Sequence, residues 1–324
     1  MAEASPPLID MHVHLWGTGD GGSGIRVHPR YRWSPTFLGA GLALGMHWRR
    51  AESYDAYYLK LLLEALDASP LEFAVVQGME GVYDADGRLD GRRTAIYIPN
   101  DYVYRVCREH DCLLPAAAVS PARADWQAEL DRAAEQGALY VKLNPCAGRT
   151  PVGAERWRAF YRRLRRLGLA LVCHTGPERS LWSGPRRLGD PAGLELPLSE
   201  GLVVVAAHAA TGTLLEGGRP FENMVRLMER FGNLYADTSA VAQWFRWRWL
   251  GRLAGHELVR SRLLHGSDYP VPITLLPWGV LSPASWRRVR RLRSRLARDL
   301  AVKEEAGFGL ASARRAARVL GVGS

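Results

Sequence analysis

Two histidines near the start of the chain, His12 and His14, have the spacing of metal ligands on a β-strand. They lie in the apolar run Leu-Ile-Asp-Met-His-Val-His-Leu at residues 8–15. Because side chains on a strand alternate between its two faces, we expect both imidazoles to point to the same side. Two neutral imidazoles on one strand face can bind one metal ion. Such a pair also occurs without a metal, so its interpretation depends on residues further along the chain.

Three later apolar runs also end in residues that can bind a metal. These residues are His174, His208 and Asp268. If the runs are strands of a parallel barrel, their carboxyl ends converge at one mouth. Three or four imidazoles with one carboxylate are suited to zinc or a similar divalent ion, with a position left for water. The sequence therefore predicts a metal centre at which these groups meet His12 and His14.

Eight apolar runs that read as strands alternate with helical segments. The predicted strands are residues 8–15, 72–77, 114–120, 138–144, 169–175, 203–208, 234–239 and 262–268. Most of the runs are continuous rather than half polar, which is typical of a parallel sheet covered on both faces. Eight such units in about 300 residues predict a (β/α)8 TIM barrel, with an open doubly wound sheet as the alternative. Four strand-to-helix connections are long and the helix-to-strand connections are short, which favours the barrel.

The same pattern predicts one domain over residues 1–324. Its barrel core spans residues 8–270, and C-terminal helices are expected within 284–320, at 284–304 and 312–320. Because long loops at the carboxyl face of a barrel usually carry function, residues 16–50 and 176–200 are expected to form the mouth of the pocket.

Composition excludes several classes of function. The chain has 324 residues, a net charge of +10 and 47% hydrophobic residues, as in an ordinary globular protein. Its densest basic run, residues 286–298, has apolar residues at helical spacing and no nucleic-acid motif, so we expect no nucleic-acid partner. With no signal peptide and no long apolar run, we expect a cytoplasmic protein without membrane contact, with its four cysteines reduced. We expect a small-molecule substrate. The sequence does not determine the oligomeric state, and a homodimer is one possibility.

Four motifs resemble those of the amidohydrolase superfamily. They are Ile-Asp-Met-His-Val-His at residues 9–14, Val-Cys-His-Thr-Gly at 172–176, Ala-His at 207–208 and His-Gly-Ser-Asp-Tyr-Pro at 265–270. The sequence is most similar to the amidohydrolase-related branch that includes aminocarboxymuconate semialdehyde decarboxylase. The resemblance spans residues 8–270, and the order and spacing of all four motifs agree with it.

The resemblance implies a ligand set, and the chemistry of that set predicts a reaction. His12, His14, His174 and Asp268 would hold one divalent metal ion, with Zn²⁺ preferred and Mn²⁺ as the alternative. Asp268 would also take a proton from water as a general base, and the second catalytic residue, His208, would stabilise the oxyanion or orient the substrate. The expected enzyme is a metal-dependent hydrolase acting on an amide, ester or lactone of a small carboxylated or aromatic compound.

Two alternatives to hydrolysis stay open. The first is a metal-dependent non-oxidative decarboxylase or lyase of an aromatic or unsaturated carboxylic acid, and the second is a metal-binding scaffold without turnover. Decarboxylases of the branch tend to follow the histidine of strand six with a glycine-rich or acidic segment. Here His-Ala-Ala-Thr-Gly stands at residues 208–212, which favours the hydrolase.

Lys142 is one of only three lysines in the chain and lies in a predicted strand. It could be carbamylated and bridge two metal ions, pair as an unmodified cation with a substrate carboxylate, or pair with a core carboxylate such as Asp10 or Asp237. Lysines at this position also occur in the single-metal branch, so the resemblance favours an unmodified Lys142 and one metal. Arg179 and Trp48, in two long loops, are further candidates for substrate binding, because arginine suits carboxylates and tryptophan suits flat apolar groups.

Overall fold

Eight parallel strands form the centre of the fold. The structure, a computed structural model, describes residues 5–46, 52–182, 184–212, 217–273 and 281–323. Each strand pairs in parallel with the next one along the chain. The strands are β1 Ile9–His14, β2 Phe73–Gln77, β3 Leu113–Ala118, β4 Tyr140–Leu143, β5 Ala170–His174, β6 Val204–Ala207, β7 Leu234–Asp237 and β8 Leu263–Leu264.

Backbone hydrogen bonds join the end of β8 to β1 and close the sheet. Met11 N donates to the carbonyl of His265 at 2.9 Å, Asp268 N donates to that of His12 at 2.9 Å, and His14 N donates to that of Tyr269 at 2.8 Å. The predicted (β/α)8 TIM barrel is confirmed. Its closure places the carboxyl ends of β1 and β8 side by side.

Helices surround the barrel. They are α1 Pro29–Arg32, α2 Pro35–Ala43, α3 Tyr54–Asp67, α4 Asn100–Glu109, α5 Trp126–Glu135, α6 Arg158–Arg166, α7 Glu195–Ser199, α8 Arg219–Arg230, α9 Trp249–Gly255, α10 Glu257–Ser261, α11 Pro283–Arg291, α12 Arg295–Glu305 and α13 Gly309–Leu320. Short 3₁₀ turns are Glu155–Trp157, Arg186–Gly189, Pro191–Leu194 and His208–Ala210, and Arg26–Val27 pairs with Ile96–Tyr97 in a two-stranded antiparallel sheet. Among the described residues, no helix is long and apolar enough to span a membrane.

The C-terminal helices differ from the sequence prediction. The single helix predicted at 284–304 is wrong, since the structure has α11 and α12 there. Leu292 is extended, with φ −63° and ψ 130°, and the Ser294 hydroxyl accepts a hydrogen bond from Ala297 N at 3.1 Å. A serine in this position satisfies a backbone N–H at the start of a helix, so α12 starts separately.

The barrel interior is packed with apolar side chains below the mouth. Ile9 and Met11 of β1 pack there with Tyr140 of β4 and with residues of every other strand. The pairing of β1 with β2 shifts register between Asp10 and Val13, which is a β-bulge. Bulges redirect side chains next to functional sites. The bulge therefore lets both Met11 and His12 face inward, which strict alternation would not allow.

Candidate metal centre

His12, His14 and Asp268 form a compact group of metal-binding side chains. One ligand atom from each lies within 4.8 Å of the others. Oδ1 of Asp268 lies 3.4 Å from Nε2 of His12 and 3.4 Å from Nε2 of His14. His12 and Asp268 are buried and His14 is partly exposed. Two imidazoles and a carboxylate at this separation could hold a divalent ion.

The backbone around Asp268 is shaped to bring its carboxylate to the histidines. Asp268 has φ +65°, in the left-handed region that non-glycine residues rarely adopt. Two residues earlier, a Cβ atom on Gly266 would lie 2.6 Å from Cβ of His12, so this close approach of two chain segments requires glycine. The segment after β8 is therefore fitted closely to β1.

A buried carboxylate orients His12. Nδ1 of His12 lies 2.7 Å from Oδ2 of Asp237, at the end of β7. Burial and the charge of Lys142 lower the pKa of His12, so its imidazole is neutral at pH 7. We assign its proton to Nδ1, where Asp237 accepts it, which leaves the lone pair of Nε2 facing the centre. Burial acts to raise the pKa of Asp237, but its contacts with His12 hold the pKa well below the ordinary value.

His174 and His208 lie beside this group in a second chain of hydrogen bonds. Nε2 of His208 lies 3.1 Å from Nδ1 of His174, and Nδ1 of His208 lies 2.7 Å from the hydroxyl of Ser239. That hydroxyl donates to Asp237, so it must accept the Nδ1 proton of His208. His208 Nε2 then accepts the Nδ1 proton of His174. Nε2 of His174 carries a lone pair, and this buried atom has no hydrogen-bond partner among the described residues.

Burial keeps both of these histidines neutral. Burial lowers the pKa of His174 to about 4. The negative charge of Glu178 acts to raise this pKa, and the positive charges of Lys142 and Arg246 act to lower it further. Burial likewise lowers the pKa of His208 well below its ordinary value. Neutral imidazoles are the form that binds metals. For Asp268, burial acts to raise the pKa, but the hydrogen bond with His14 and nearby positive groups hold it below the ordinary range, so its carboxylate is ionised.

Two buried cations lie close to the histidines. Nζ of Lys142 lies 3.0 Å from Nε2 of His12, and burial lowers the pKa of Lys142. Among the described residues, its ammonium is hydrogen-bonded to this imidazole rather than to Asp10 or Asp237, the carboxylates considered in the sequence analysis. Arg246, in the segment between β7 and α9, is only 6% exposed, and its charge lowers the pKa of His208.

Arg179 and Trp48 are the other predicted substrate-binding residues. Arg179 is exposed on the loop after β5, and Trp48 lies outside the described residues, so both stay predictions. The two predicted mouth segments do meet: the hydroxyl of Tyr31 donates to the carbonyl of Ser180 at 2.7 Å. The ring centroids of His28 and Trp182 are 4.6 Å apart.

The sequence analysis missed the roles of Asp237, Ser239 and Arg246. Asp237 ends an apolar strand, the same signal that identified Asp268, so its place at the mouth could have been predicted. Arg246 follows no strand end and precedes α9, which begins at Trp249. Its burial results from tertiary packing and has no local sequence signal.

Comparisons with known proteins agree with this geometry. Residues 9–277 match the family model described as amidohydrolase. A comparison of the sequence with curated proteins found no match.

Solved structures with the same fold share little sequence with the chain. An uncharacterised TIM-barrel protein from Bordetella bronchiseptica has a TM-score of 0.61 and 16% identity, over 97% of this chain and 100% of that one. A putative 2-pyrone-4,6-dicarboxylic acid hydrolase from Pseudomonas putida has a TM-score of 0.61 and 19% identity, over 99% and 100%. A 5-carboxyvanillate decarboxylase from Sphingomonas paucimobilis has a TM-score of 0.54 and 13% identity, over 97% and 99%. These likenesses concern the fold.

Proposed function

The chain belongs to the amidohydrolase family, and we propose on this premise that it is a metal-dependent hydrolase of a small amide, ester or lactone. Membership of the family indicates an enzyme. The observation that carries the proposal is the group of His12, His14 and Asp268, whose ligand atoms lie within 4.8 Å of one another at the adjacent carboxyl ends of β1 and β8. A pocket at that face of a barrel is where catalytic groups are found.

The donor set fits one divalent ion. His12 presents an unprotonated Nε2, and Asp268 is ionised. His174 is proposed as the fourth ligand, because its buried Nε2 carries a lone pair without a partner among the described residues. Imidazoles with a carboxylate favour Zn²⁺, with Mn²⁺ as the alternative. When bound, the ion would act as a Lewis acid that polarises a carbonyl group and makes water more acidic.

The chain's own residues would move the protons. We assign to Asp268 the role of general base, since it is ionised, buried and adjacent to both histidines. It would take a proton from the attacking water and transfer it to the leaving group. His208 is the second proposed catalytic group. Its proton lies on Nδ1 and its Nε2 accepts a hydrogen bond from His174, so Nε2 would have to leave that hydrogen bond before it took a proton, and it could stabilise an oxyanion only once protonated.

The charges around the centre favour an anionic substrate. Lys142 and Arg246 are both 6% exposed, and both lower the pKa of His174, so two cations lie near one imidazole. Lysine and arginine recognise carboxylates through charge-assisted hydrogen bonds, so these two side chains would favour a substrate that carries a carboxylate. We therefore propose a carboxylated substrate, with Lys142 unmodified and Arg246 as an additional binding residue.

Decarboxylation is the second candidate, because a carboxylate held by these cations could also be the group that leaves. A panel of aromatic and unsaturated carboxylic acids, and of their lactones, esters and amides, separates the two reactions. Acid release without carbon dioxide would support hydrolysis, and carbon dioxide release from the free acids would establish the decarboxylase. Absence of any turnover by metal-loaded protein would contradict both and leave a binding protein.

A further inference from the structure

A buried ion pair on α12 touches the segment that carries Asp268. Lys303 and Asp299 lie one helical turn apart, both almost completely buried, and Nζ of Lys303 contacts Oδ2 of Asp299. The same Nζ donates to the carbonyl of Gly266 at 2.7 Å. Lys303 is one of two buried lysines among the described residues, and the other, Lys142, is at the metal centre.

The contact at Gly266 is one of several that fix this short segment. Ser267 N donates to Oδ1 of Asp10 at 2.9 Å, and that same oxygen accepts from His12 N at 3.1 Å. Asp268 N donates to the carbonyl of His12 at 2.9 Å. A single carboxylate oxygen of Asp10 thus ties β1 to the segment after β8, and Lys303 ties that segment to α12.

Such ties are needed because Asp268 has an unfavourable backbone conformation. Its φ of +65° persists only where the surrounding structure imposes it. Burying two charges on α12 also costs desolvation free energy that an apolar pair of similar size would avoid, so the pair is weak as a stabilising device. A role in holding Gly266, and through it the position of Asp268, accounts for its place.

We propose that Lys303, held by Asp299, is a positioning residue that fixes the segment Gly266–Asp268 and so sets the Asp268 carboxylate against His12 and His14. This inference rests on the proposed function in that Asp268 is taken as a metal ligand and base. Lys303 itself touches neither substrate nor metal. Its effect passes through the carbonyl of Gly266.

The test uses the double variant Lys303→Met/Asp299→Leu, which removes both charges and leaves no unpaired buried ion. Val302→Ala is the matched control. Val302 is a fully buried residue of α12 next to Lys303, and its truncation loosens helix packing without removing the contact with Gly266. Amide hydrogen exchange of residues 265–269 is measured in metal-free protein. Co²⁺ affinity and the Co²⁺ absorption spectrum are measured in parallel.

We expect amide protection at 265–269 to fall about tenfold or more in the double variant and not in Val302→Ala. Co²⁺ affinity should fall about 10–100-fold with a changed spectrum, the usual effect of losing outer-sphere support. Unchanged protection in a folded double variant would overturn the proposal. If the double variant does not fold, Lys303→Arg is measured in the same way, because its larger, planar guanidinium cannot take the place of the ammonium against the carbonyl of Gly266. Parental protection at 265–269 in that variant would overturn the proposal. If the parent protein binds no Co²⁺, the proposed function fails, while the exchange result still decides the role of Lys303.

Discussion

His12 and Asp237 are joined by a buried contact of 2.7 Å between Nδ1 and Oδ2, across the barrel mouth from β1 to β7. Oδ1 of the same carboxylate accepts from His208 N at 2.8 Å and from Ser239 N at 3.0 Å. Asp237 thus supports the His12 imidazole directly, the His208 backbone directly, and the His208 imidazole through the Ser239 hydroxyl. One carboxylate fixes the orientation of the proposed ligand and of the proposed catalytic histidine.

Asp237→Asn should weaken metal binding about 10–100-fold. An amide cannot reproduce the charge that holds the proton on Nδ1 of His12, and outer-sphere carboxylates of metal-bound histidines have effects of this size. Metal affinity is measured by competition with a chromophoric chelator. Asp131→Asn, at the partly exposed Asp131–Arg163 pair between α5 and α6, is the control and should bind metal like the parent. Parental affinity in Asp237→Asn would show that the contact does not support the centre.

His208→Asn separates catalysis from metal binding. His208 contacts His174 and Ser239 and is outside the group of His12, His14 and Asp268, so the variant should keep its metal. Turnover should fall roughly 100-fold or more, the scale of losing an acid–base or oxyanion partner. His256→Asn, at the N-cap of α10 outside the metal centre, should keep both because asparagine is also a good N-cap. Loss of metal from His208→Asn would make His208 a ligand, and full turnover would make it only part of the core.

His174 predicts how the stability of the metal-free protein depends on pH. Its pKa is lowered from 6.5 to about 4, chiefly by burial, so between these values the unfolded chain binds a proton that the folded chain excludes. The free energy of unfolding should therefore be fully retained above pH 6.5 and decrease as the pH falls towards 4. In His174→Gln, this slope should be shallower by up to about 1.4 kcal/mol per pH unit. Chemical unfolding at several pH values measures it, and identical slopes would contradict the assigned burial effect.

Lys142→Met should separate the two roles considered for this lysine. If the ammonium binds a substrate carboxylate, KM for carboxylated substrates should rise about tenfold or more, because the buried ion pair between lysine and substrate is lost. Metal content should stay near one ion per chain. Lys142→Arg, which keeps the charge, should recover part of the loss. If Lys142 is instead carbamylated and bridges two ions, Lys142→Met should lose one equivalent of metal, and metal analysis would show it.

The sequence was sufficient to predict the barrel because its strands are continuous apolar runs and its helices are closed by glycines such as Gly137 and Gly168, both with positive φ. The positions of His12, His14 and Asp268 followed from strand ends. The bulge between Asp10 and Val13 could not be predicted, since it depends on register with β2. The break between α11 and α12 had a signal in Ser294, but amphipathic spacing on both sides concealed it.

The most direct test of the central claim is the metal content of purified protein. It is measured by elemental mass spectrometry and expressed as metal ions per protein chain. The account predicts about one divalent ion per chain in the parent. Most of it should be lost in His12→Ala and in Asp268→Ala, because each variant lacks one of the proposed ligands. Two equivalents per chain, with Lys142 carbamylated, would replace the single-metal site. A fully active protein without metal, or one whose metal is unaffected by both substitutions, would contradict the account.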